Sequence, residues 1–152
     1  MTRFRRARSV NVIVAALSVG MLVSSCSAED IRIRLVNGQT GEPMKGPQPI
    51  VLYLGRDERT VLHETTDGDG VAVFHMPGPI VDWVNLGEAS YTLYHCSPYR
   101  KNTFKTREIL QRGVIVLNVC DAKGKLKGKV EAKPGEVVIF AKPLRWWEKA
   151  QW

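Results

Sequence analysis

A chain of 152 residues can bury one core, and a formal charge of +7 invites a nucleic-acid or anionic-membrane partner. The excess is local: Arg3, Arg5, Arg6 and Arg8 lie in a first segment without acid, and from Cys26 onward 18 basic residues face 15 acidic ones, a balance of +3. Such a balance excludes the broad basic field on which nucleic-acid binding depends.

Residues 1–28 have the order of an export signal: basic "MTRFRRARS", mainly apolar "VNVIVAALSVGMLV", then small "SSCSA". The apolar run is shorter than a comfortable membrane span. Two cleavages compete. "VSSC" resembles the lipobox of bacterial lipoproteins, with Cys26 as the lipidated residue, whereas "CSA" before Glu29 fits an ordinary signal peptidase. Arg5 and Arg6 match a twin-arginine signal poorly. An exported chain with three cysteines leaves one over, and either cleavage removes the odd one, by lipidation or by loss of Cys26. Cys96 and Cys120 then remain as a disulfide pair, with two buried thiols as the alternative.

From Asp30, short β-type runs alternate with turns. "IRIRLVN" sets Ile31, Ile33 and Leu35 against Arg32 and Arg34, the period of a half-buried strand. Further strands are expected in "PIVLYL", "TVLHETT", "VAVFHM", "IVDWVNL" and "SYTLYHC", with "GQTGEPMKGPQ", "GRDER", "DGDG" and "GEA" as connections. "TREILQRG" predicts a short helix with Thr106 as N-cap and Gly113 as its stop. "VIVLNVC" and "GEVVIFAK" complete seven to eight strands, the pattern of an all-β, antiparallel sandwich over residues 29–142. In "KGKLKGK", Lys123, Lys125, Lys127 and Lys129 would share one face if the stretch were extended, and it is expected as a solvated hairpin, as edge-strand protection or as a strip for anions. Pro143 suits a first helical turn, so residues 143–152 are expected as a Trp-rich helical tail. Arg145, Trp146, Trp147 and Trp152 there either close the open end of the sandwich, form a contact surface, or sit among lipid headgroups.

"IRIRLVNGQTGEPMKGPQPIVLYL" followed by "TTDGDGVAVFHMP" resembles transthyretin-like, or prealbumin-like, domains, including carboxypeptidase regulatory-like and collagen-adhesin B-type modules. In those, a first strand enters a "TGxPxxG" connection, and a "TDxxG" turn leads into a strand with a core phenylalanine. Thr40, Gly41, Pro43 and Gly46 hold the first set of places here; Thr66, Asp67, Gly70 and Phe74 hold the second. The likeness spans Ile31 to Met76 and implies a prealbumin-like (Ig-like) sandwich. The residues also carry direct readings: Gly41 and Gly70 suit positive φ, Asp67 can accept backbone amides, and Phe74 can fill the space between sheets.

The enzymatic branch of that fold, hydroxyisourate hydrolase, is tied to histidine and arginine positions and a C-terminal Tyr-Arg-Gly-Ser tetrapeptide, which this sequence lacks. "DGDG" has two carboxylates of a calcium loop without the downstream ligands, and no nucleophile-elbow, zincin, P-loop or dinucleotide motif occurs. The resulting expectation is a non-catalytic, cofactor-free exported module. It would be anchored through Cys26 at the periplasmic face of a membrane or at the cell surface, meeting an envelope protein or glycan. The alternatives are a small hydrolase or metal site using His63, His75 and His95, and a soluble periplasmic or secreted subunit of a larger complex.

Overall fold

The computed structural model describes residues 29–87, 93–98 and 102–144. The expected export signal with Cys26, and the tail residues Arg145, Trp146, Trp147 and Trp152, lie outside the described residues. The elements run β1 (Asp30–Asn37), β2 (Pro49–Leu54), β3 (Thr60–Thr65), β4 (Val71–His75), β5 (Trp83–Leu86), β6 (Leu93–His95), β7 (Asn102–Lys105), α1 (Thr106–Arg112), β8 (Val114–Ile115) and β9 (Glu136–Pro143). One sheet has the order β4-β1-β9-β6, with β8 also on β9, and the other the order β3-β2-β5-β7. Ile31, Ile33, Leu35 and Phe74 from the first sheet and Ile50, Leu52, Val84 and Leu86 from the second share one core.

The alternation of β1 does what its period predicts up to Leu35. Val36, which should face solvent, is also buried, because this sheet is covered on its outer face as well. Residues 137 to 141 of β9 are buried throughout: Val137, Ile139 and Ala141 face the main core, and Val138 and Phe140 join Val36 and Cys96 in a second cluster. A strand covered on both faces reads as a continuous apolar run rather than an alternating one. By contrast β3, an edge strand, turns only Leu62 onto the core.

The connections named in the sequence hold by identifiable contacts. Gly41 has φ +81°, and the Thr66 hydroxyl, inside the fold, donates to Gly46 O and accepts from Gln48 N–H. Asp67 Oδ1 accepts from Asp69 and Val71 N–H, each at 2.9 Å, which closes the turn into β4. Gly70 sits at φ +74°, where an added Cβ would lie 2.8 Å from Leu35 O.

Five expectations are corrected. The sandwich is not purely antiparallel: β9 runs parallel to β1, from Arg32 opposite Glu136 to Asn37 opposite Ala141, and β8 runs parallel to β9. "VIVLNVC" keeps only two residues in a strand, because Asn118 turns the chain, donating to Gly38 O and accepting from Cys120 N–H. "KGKLKGK" is a series of turns closed by Asp121, whose carboxylate accepts from Lys125 and Leu126 N–H, so its four lysines form no strand face. Thr106 is not the N-cap: Lys105 occupies that place without a side-chain bond, and Thr106 is buried inside the first turn. Pro143 ends β9 opposite Leu93 instead of opening a helix. Gly113 does stop α1, at φ +74°.

Candidate functional site

Alternation along β5 and β7 turns Val84 and Phe104 inward and leaves Trp83, Thr103 and Lys105 on the outer face of the four-stranded sheet. Trp83 lies directly opposite Lys105 in the register, and on its other side the chain leaves β2 through Gly55, whose N–H donates to Trp83 O at 2.8 Å. A glycine there, at φ +77°, gives the chain its turn beside the indole. The loop that follows carries four charges in succession, Arg56, Asp57, Glu58 and Arg59, with Glu58 in the left-handed region at φ 52°.

The Arg56 guanidinium lies 5.1 Å from the centre of the Trp83 ring and the Lys105 ammonium 5.6 Å from it, one cation arriving from each neighbouring strand side. Both distances are within the range of cation–π attraction. The indole therefore serves first to hold two cations at the surface. Arg56 and Glu58 line a shallow depression of about 430 Å³ together with Trp83, Asn85 and Thr103. Asn85, nearly buried, is fixed by donating to Gly55 O at 3.1 Å.

The same loop separates this depression from a second one of about 350 Å³, to which it contributes Asp57 and Arg59. Leu54, Met76, Pro77, Pro79 and Val81 supply its apolar wall. Arg59 and Asp57 are paired at 3.3 Å, so their charges offset each other; among the described residues neither Arg56 nor Lys105 has a carboxylate partner. Asp82 reaches this end too, its carbonyl accepting the Thr106 N–H at 3.0 Å. Ile80, half-exposed at 49%, stands on the loop that joins β4 to β5. The arrangement suits recognition of a group that presents negative charge beside an apolar surface.

The three histidines are not brought together. His63 lies exposed on β3; His75, on β4, has Nδ1 2.9 Å from Asp30 Oδ1; His95 lies on β6, at the other side of the first sheet with β1 and β9 between. Among the described residues no group of three metal-ligating side chains forms, and no helix is long and apolar enough to cross a membrane. Cys96 and Cys120 are positioned for a disulfide, with Cα atoms 5.2 Å apart. The comparisons with known proteins return no matching family model, curated protein or solved structure.

The tryptophans of the tail stand out in the sequence because three lie close together, whereas Trp83 is hidden inside an expected strand. A signal was present: once Val84 is assigned to the core, period two turns Trp83 outward, and a bulky aromatic facing out beside "GRDER" needs a reason to be there.

Proposed function

We propose that this chain is an exported, non-catalytic binding module, lipid-anchored at Cys26, with a prealbumin-like sandwich as its scaffold. The scaffold reading is supported by the contacts of the motif residues: Thr66 clamping the connection at Gly46, Asp67 and Gly70 forming the turn, and Phe74 wholly inside the core. The observation that carries the binding reading is Trp83 on an outer sheet face with Arg56 and Lys105 drawn to its ring. Two long cationic side chains held beside an indole lose less freedom on meeting a ligand than free ones would, which is the physical advantage of a prepared contact surface.

The module meets a component of the envelope with this end of the sandwich. A photo-crosslinking residue in place of Thr103 should give a discrete adduct in cells, whose mass identifies the component, and Trp83→Ala should abolish it. The same residue placed at Lys127, on the turns over the other sheet, should give none. Equal adducts from both positions, or an adduct indifferent to Trp83, would sink the reading.

A further inference from the structure

The loop end and the start of the folded chain lie at the same pole of the molecule. Asp30 opens β1 opposite His75, which closes β4; residues 76–82 run from there directly to Trp83, and Gly55 is bonded to Trp83. Cys26 precedes Asp30 by four residues, and four residues reach at most about 14 Å. A lipid on Cys26 therefore holds this pole against the bilayer. The opposite pole, with Gly38 and the Asp67 turn, stands farther off by the eight-residue length of β1, roughly 26 Å.

We propose that the surface made by Arg56, Trp83, Lys105 and Ile80 seats on anionic phospholipid headgroups, fixing how the anchored sandwich stands on its membrane. The proposal rests on the binding reading above and on the anchor at Cys26, and it names the ligand of that same surface. Each member fits the interface: an indole belongs at headgroup depth, the two cations meet phosphate, and half-exposed Ile80 on its Pro-rich loop can enter the boundary. Asp57 is already offset by Arg59, while Glu58, which lines the same depression as Arg56, and Asp82 are the opposing charges at this end. Two cations give weak attraction by themselves. Weak attraction is sufficient here, because the tether makes the contact intramolecular and the surface has only to choose an orientation.

The test uses the processed, lipidated protein in nanodiscs of phosphatidylcholine alone or with a third phosphatidylglycerol, both doped with a headgroup-spin-labelled lipid. Paramagnetic broadening of amide signals is then mapped. With phosphatidylglycerol, broadening should be strongest at Arg56, Gly78 and Ile80 and weak at Gly38, Asp67 and Gly128. It should fall several-fold at those three loop positions in the neutral discs, and likewise in Arg56→Ala/Lys105→Ala, whose signals elsewhere report an unchanged fold. Broadening strongest at the turns of Lys123 to Lys129, or a loop-end pattern indifferent to phosphatidylglycerol and to the double variant, would overturn the proposal. Should the intact mass show no lipid, the anchor and the proposal fall together. Should the orientation be random while the Thr103 adduct persists and is not lipid, the lipid assignment alone falls and the binding reading stands.

Discussion

Arg34 and Glu136 stand side by side on the outer face of the β1–β9 pair, with Arg34 Nε donating to Glu136 Oε1 at 2.7 Å and Nη2 to Oε2 at 3.1 Å. Glu136 is nearly buried, and Lys133 N–H donates to its second oxygen at 3.0 Å. Burial alone would push this carboxyl up. The Arg34 bond, the backbone N–H of Lys133 and the charges of both residues outweigh burial together and hold it below the ordinary glutamate value of 4.5. An acid whose folded value is lowered contributes stability that is complete above its unfolded value and is lost as pH falls through the folded one. Glu136→Gln should accordingly cost about 1.5 to 3 kcal/mol at pH 7, the usual worth of hydrogen bonds to a charged group. Urea unfolding of both proteins at pH 7, 5 and 3 should show that difference shrinking only below about 4.5. A difference independent of pH would mean that shape, not charge, is what Glu136 contributes.

The segment between β8 and β9 is mostly turns, yet it covers Val36, Val138 and Phe140 on the outer face of the first sheet. Its attachments are the Cys96–Cys120 pair, the Asn118 bond to Gly38, Val116 N–H on Val138 O and Val119 N–H on Cys96 O. Cross-linking residues 24 apart in sequence is worth roughly 3 kcal/mol by the loop-entropy relation. Cys120→Ser, or reduction, should remove about that much and should speed amide exchange at Val116 and Val119 well before the β1–β9 ladder loosens. Unchanged protection at those two amides would show that Asn118 and the packing hold the cover without the cross-link. This element also marks how far the sequence could be read. Strand positions and the turns at Asp67 and Gly113 depend on neighbours within a few residues, and their residue chemistry announces them. The burial of Val36 depends on residues roughly a hundred positions later, and the parallel pairing of β9 with β1 joins distant parts of the chain, so neither left a local sign. The continuous apolar run of β9 was the one hint that both its faces are covered. At the candidate site the loops 55–59 and 77–81 carry no motif, and their meaning comes only from meeting beside Trp83.

For the molecule as a whole, whether Cys26 carries the proposed lipid decides what the loop end can touch. Both cleavages leave β1 intact and the same cysteine pair behind, so the fold is compatible with either. Their consequences for the mature chain differ. With lipid at Cys26, the end bearing Trp83 is held at the bilayer and the far end, with Gly38 and the Asp67 turn, is presented to the surrounding compartment. With cleavage before Glu29, every face is equally accessible and the cations at Trp83 are open to any soluble partner. Intact-mass measurement on the membrane and soluble fractions, with thiol alkylation before and after reduction, separates these cases. A mass beginning at Cys26 plus lipid, with two thiols alkylated only after reduction, is the expected result. A mass beginning at Glu29 with the cysteines still protected would remove the orienting tether and leave a soluble module that must find its ligand by diffusion. Two free thiols at that same mass would remove the cross-link as well, and the cover over Val138 and Phe140 would then depend on Asn118 and its packing.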